Sequence, residues 1–130
     1  MKYLCLAYEE ERKLDSLSRA EWDELRKETL DYVDDLRRSG RLLVTHALQS
    51  VRSATTVRVR QDRLLTTDGP FAETKETLGG FFLIEVRDLD EALRVAANWP
   101  SARLGSIEVR PIEESLREDS RYGGVPGARG

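Results

Sequence analysis

Two short segments of the chain are apolar at nearly every position. Tyr3-Leu4-Cys5-Leu6-Ala7-Tyr8 and Phe81-Phe82-Leu83-Ile84-Glu85-Val86 place hydrophobic residues on both alternating sets. A strand with one wet face alternates, so these two predict central strands covered on both sides. Between them lies a helical pattern. Ser18 stands three residues before Glu21, the spacing of a capping box, and Leu17 and Trp22 occupy the two positions of a hydrophobic staple. Leu25, Thr29, Val33 and Leu36 continue one stripe. Arg37 and Arg38 suit the negative end of the helix dipole, and Gly40 suits a left-handed stop. The pattern predicts a helix from Arg19 to Ser39.

The remaining elements are shorter. Leu42 to Leu48 reads as a strand. Thr55 to Arg60 alternates Thr55, Val57 and Val59 against Thr56, Arg58 and Arg60, and Gln61-Asp62 turns the chain back into Arg63 to Thr67 as a hairpin arm. A loop from Asp68 to Gly80 follows. Asp88 and Glu91 repeat the capping spacing before Leu89, Ala92, Leu93, Ala96 and Ala97, and Pro100 ends that helix. Ser106 to Ile112 alternates as a last strand. Residues 1–112 are therefore expected to form one domain. Glu113 to Gly130 has few large apolar residues, and a mobile or partner-docked tail is expected there.

The order β-α-β-β-α-β is that of a ferredoxin-like α+β fold with an antiparallel sheet. Right-handed crossovers put both helices on one face. Two strands that are apolar on both faces then leave an oily face uncovered, larger than soluble monomers usually expose. A second copy of the same sheet would cover it, so the expectation is a homodimer built as a dimeric α/β barrel with a cleft beside the sheets.

Composition removes several alternatives. The 130 residues carry 21 Lys and Arg against 24 Asp and Glu, a net charge of −3, so nucleic acid is not an expected partner. The single Cys5 excludes an intrachain disulfide and a zinc-knuckle spacing, and no metal or other cofactor is expected. No run approaches the ~20 apolar residues that span a bilayer, and the apolar start is too short and too acidic on its far side for a secretory leader. No membrane association is expected, and the expected location is the cytoplasm.

Candidate chemistry concentrates in Thr66-Thr67-Asp68-Gly69-Pro70-Phe71-Ala72-Glu73-Thr74-Lys75-Glu76. Asp68 can close an Asx turn on the amides of Phe71 or Ala72, Phe71 can plug an apolar hole beneath it, and Lys75 can pair with Glu73 or Glu76. From chemistry alone the same residues read more simply as a rigid turn with surface ion pairs. This stretch resembles the signature of the DGPF subgroup of YCII-related domain proteins. So do Ala54-Thr55-Thr56-Val57-Arg58, Leu78-Gly79-Gly80-Phe81-Phe82, Asp88-Leu89-Asp90-Glu91-Ala92 and Gly105-Ser106-Ile107-Glu108-Val109-Arg110-Pro111. The resemblance implies a ferredoxin-like fold paired into a dimeric barrel, without a settled activity, and genes that often lie near those of alternative sigma factors. It also implies a catalytic histidine on the first long helix and an aspartate before a proline. At those positions this chain has Thr29 and Trp99, so that pair is not carried over.

Other residues remain as candidates. His46, the only histidine, is a candidate general base with Asp68 or another acid as its orienter, against the plainer reading of a packed strand histidine. Lys75 and Arg58 are candidates for holding an anionic ligand, and Tyr8 for pointing a hydroxyl into the same cleft. Cys5, inside an apolar strand, is expected to be inert. Two functions follow: an enzyme acting on a small organic molecule, or a non-catalytic module contacting a protein such as a sigma factor. An RNA-binding role is disfavoured, because the central strands lack the stacking aromatics and glycines.

Overall fold

The computed structural model describes residues 1–115. Most of the expected C-terminal tail, 116–130, lies outside the described residues. The elements run β1 (Lys2–Glu9), α1 (Glu11–Asp15), α2 (Arg19–Arg38), β2 (Leu42–Ala47), β3 (Thr55–Arg60), β4 (Arg63–Asp68), β5 (Thr77–Glu85), α3 (Leu89–Ala97) and β6 (Gly105–Pro111). Four strands form one antiparallel sheet in the order β2-β5-β1-β6. This is the ferredoxin-like arrangement. The β3–β4 pair stands apart as a two-stranded arm.

The local signals behave as their chemistry requires. Ser18 accepts from the Glu21 amide at 3.1 Å and the Glu21 carboxylate accepts from the Ser18 amide at 2.9 Å, completing the capping box of α2. Asp88 accepts from the Glu91 amide at 2.9 Å and caps α3. Gln61 and Asp62, at φ 52° and 62°, supply the two left-handed residues of a tight hairpin turn between β3 and β4.

Alternate residues of the central strands build the core. Tyr3, Cys5 and Ala7 of β1 and Gly80, Phe82 and Ile84 of β5 are buried on one face. Val33 and Leu36 of α2 and Ala92 and Val95 of α3 join the core cluster on that face, so both long helices pack on the same side. The Trp99 ring stacks on Phe82 with centroids 3.9 Å apart and planes at 10°, and Tyr32 meets Trp99 edge-on at 6.0 Å. On the other face the cross-strand neighbours Leu4 and Leu83, and Leu6 and Phe81, are only partly buried. The expected helix-free apolar surface is therefore present in the chain.

Four readings need correction. The acidic segment after β1, where the sequence reads as a loop, contains a short helix, α1. The loop after the arm is shorter than Asp68 to Gly80, because β4 runs to Asp68 and β5 begins at Thr77. Leu78-Gly79-Gly80 looks like loop sequence for its glycines, yet it is paired strand with a bulge: Ala7 faces Gly80 and Tyr8 faces Leu78, leaving Gly79 as the extra residue. Finally, Phe71 plugs nothing within the subunit. It is 80% exposed.

Candidate ligand cavity

Beside the core, between α2 and the β2–β5–β1 part of the sheet, a cavity of about 550 Å³ opens to solvent. That volume suits a small organic molecule. Its walls are mostly apolar, with Leu25, Leu30 and Val33 from α2 facing Ala7, Phe82 and Trp99. Both tryptophans of the chain, Trp22 and Trp99, line it.

The polar groups converge from separate elements. Glu9 ends β1 in the same alternating set as Cys5 and Ala7, which carries its side chain to the helix-bearing face. Two glycines make room around it. A Cβ at Gly79 would lie 2.7 Å from Glu9 Oε2, and a Cβ at Gly105 would lie 3.2 Å from Glu9 Cα and 2.1 Å from the Tyr8 carbonyl oxygen. Ser101, in the turn that follows Trp99-Pro100, is 8% exposed, and its hydroxyl oxygen is buried without a hydrogen-bond partner. Burial pushes the Glu9 carboxyl above the usual carboxylate range; the adjacent Ser101 hydroxyl pulls the other way without closing a well-formed hydrogen bond, and Glu11 adds a small upward push. Arg26 and Arg37 of α2 supply cations to the lining.

The two positions at which the family resemblance would place a histidine and an aspartate both line this cavity. Thr29 is turned to its own helix, donating to the Leu25 carbonyl at 2.8 Å. Trp99 is committed to the stack on Phe82. Neither carries a titratable group.

The candidates taken from the sequence are scattered. His46 is exposed at the cavity edge, its ring 5.8 Å from that of Phe81. Tyr8 is partly buried and belongs to the opposite strand set from Ala7 and Glu9. Asp68, Lys75 and Arg58 do not line the cavity; Asp68 and Lys75 are exposed. The arm–loop junction is held by other groups. The Thr56 hydroxyl donates to the Gly69 carbonyl at 2.8 Å, the Gly69 amide donates to the Ala54 carbonyl at 2.7 Å, and Arg58 reaches the Phe71 carbonyl at 3.4 Å. Gly69 takes φ +105°, a conformation open to glycine and strained for other residues. Glu76 accepts from the Ser106 hydroxyl at 2.8 Å rather than serving Lys75. Cys5 is fully buried, and burial pushes its thiol up to about 12.

Sequence reasoning passed over Glu9 and Ser101. Glu9 had a usable signal, since its parity with Cys5 and Ala7 aims it at the helices. Ser101 had none, because its burial depends on the turn after α3 folding under the sheet edge.

An α+β domain of ferredoxin-like topology with a cavity between its first long helix and its sheet is the class that fold and site define. The chain belongs to the YCII-related domain family, whose pattern matches residues 1–115. An uncharacterized protein of Rhizobium meliloti (strain 1021) is 35% identical over 114 residues, which cover 86% of this chain and 92% of that protein. Among solved structures, the 5-chloro-2-hydroxyhydroquinone dehydrochlorinase TftG of Burkholderia phenoliruptrix AC1100, in complex with 2,5-dihydroxybenzoquinone, superposes with a TM-score of 0.53 at 16% identity. The match covers 92% of this chain and all of that one. At that identity the likeness speaks for the fold alone.

Proposed function

We propose that this chain, as a cytoplasmic homodimer of the DGPF subgroup, binds a small organic molecule in the cavity between α2 and the sheet, as an enzyme of small-molecule metabolism. The observation that carries this reading is a mostly apolar cavity of about 550 Å³ into which a half-buried carboxyl and an orphaned hydroxyl are gathered. That a structural relative is named for acting on a small ring compound is compatible with it. His46, at the cavity edge, is the proposed proton carrier from the sequence set. Asp68, Lys75, Arg58 and Tyr8 are proposed to act through the cleft completed by a second subunit.

Because both tryptophans line the cavity, their fluorescence reports occupancy. A metabolite library is expected to contain compounds that shift the emission saturably, with the response abolished by a cavity-filling Thr29→Trp substitution. Saturable binders whose affinity is unchanged in Thr29→Trp would contradict the assignment. Product analysis on the binders then tests turnover.

The homodimer rests on the helix-free face, where Leu4, Leu6, Phe81 and Leu83 are held in register. A second reading, a regulatory module contacting a protein such as a sigma factor, is favoured by the arm, where Val57, Val59 and Leu64 are 60%, 61% and 67% exposed. Retained ligand binding with lost partner capture in a Val57→Ser, Val59→Ser variant would favour that reading.

A further inference from the structure

The cavity assigned above has one feature that its apolar walls do not account for. The Ser101 hydroxyl is buried and unpartnered, and a buried polar group without a partner costs free energy unless something occasionally satisfies it. Beside it stands Glu9, a carboxyl at the end of a central strand, accommodated only because Gly79 has no side chain. A hydroxyl offers both a donor and an acceptor, and a carboxylate offers acceptors alone. The ligand group that satisfies both at once is one that donates to Glu9 and accepts from Ser101. A hydroxyl does this through a single oxygen.

The rest of the lining restricts what carries that hydroxyl. Trp22 brings an exposed aromatic ring to the lining and Trp99 the part of its ring that the stack on the buried Phe82 leaves uncovered, and Leu25, Leu30 and Val33 add aliphatic side chains. Such walls favour a flat apolar ring over a sugar, whose many hydroxyls would go unsatisfied there. We propose that Glu9 and Ser101 form the polar end of the cavity and bind the hydroxyl of a small phenol, Glu9 accepting its hydrogen bond and Ser101 donating to its oxygen. This rests on the cavity reading of the previous subsection and adds the ligand class and the two residues that select it. Arg26 and Arg37, in the lining and without an ion-pair partner among the described residues, suit a phenol that also carries an acidic substituent.

The pH response of this pairing follows from the groups that face it: Glu11 of α1, Arg26 and Arg37 of α2, and His46 of β2. Glu9, raised by burial, takes up its proton at a higher pH than an ordinary glutamate, and once protonated it no longer acts as a charged acceptor.

The test compares matched probes by tryptophan fluorescence: phenol against toluene, and 4-hydroxybenzoate against benzoate. Wild-type protein is expected to prefer each hydroxylated probe by about tenfold or more, as sites built around a hydroxyl do. Ser101→Ala and Glu9→Gln are each expected to reduce that preference about fivefold or more while toluene still binds and far-UV circular dichroism shows both variants folded. The preference is expected to fade in wild type as pH drops through the Glu9 transition, and to be flat there in Glu9→Gln. If toluene binds as well as phenol, or if both variants keep the full preference, the phenol assignment is overturned while the cavity reading stands. If no probe of either kind perturbs the tryptophans, the cavity reading fails and takes this assignment with it.

Discussion

The Glu9 carboxylate occupies the space that Gly79 leaves empty. Oε2 sits 2.7 Å from where a Gly79 Cβ would be, closer than real side-chain contacts come. The bulge in β5, the glycine within it and the acidic end of β1 are thus one construction, and its product is a carboxyl at the cavity.

Gly79→Ala is expected to push the flexible end of Glu9 aside rather than unfold the protein. The stability change should be modest, about 1 kcal/mol, while any ligand contact made by Glu9 is lost. Gly105→Ala differs in kind, because its Cβ would lie 2.1 Å from the Tyr8 backbone oxygen. That variant is expected to lose about 4 kcal/mol or more or to fail to fold. Denaturant melts of the two variants check the contrast.

Glu9 makes stability depend on pH in a definite direction. Its carboxyl is raised in the folded protein, so the native state holds the proton more tightly than the unfolded chain. The stabilisation is complete below the ordinary glutamate value and is lost as pH rises from there through the raised native value. Thermal melts over that interval should show a downward slope in wild type that Glu9→Gln reduces. An equal slope in both would exclude Glu9 as its source.

Phe82 is fully buried between the strands and the Trp99 ring. Phe82→Ala should cost about 3–5 kcal/mol. It should also change the fluorescence of Trp99. Ser18→Ala, which removes the α2 cap, should cost about 1 kcal/mol without touching the ligand response.

The helix-free face gives an assembly prediction. Wild type should sediment as a dimer at micromolar concentration. Leu6→Glu, on the partly exposed strand set of β1, should shift it to a folded monomer with unchanged far-UV circular dichroism. A wild-type monomer at that concentration would contradict the paired barrel.

Much of the fold was legible because its signals are local or periodic. The double-apolar runs at Tyr3 and Phe81 marked the two middle strands of the sheet, and the Ser18–Glu21 box marked the start of α2. The site was less legible, because it is made by pairing. The Asp68–Glu76 run drew attention as a dense cluster of charge and turn residues, yet it runs from the end of the arm through the loop before β5, outside the cavity lining. Glu9 and Ser101 are 92 residues apart in sequence and meet only because β1 and the turn after α3 border the same cavity. Gly79 and Gly80 read as flexible loop when their role is the opposite: they let neighbouring groups come close to a paired strand.

The most direct measurement is amide chemical-shift mapping of the protein with a saturating small-molecule binder. The account predicts that the largest changes fall on Ala7, Thr29, Ala47, Gly80 and the two tryptophan indoles, around the cavity. Changes confined to Leu4, Leu83 and the β3–β4 arm, with those positions silent, would contradict it.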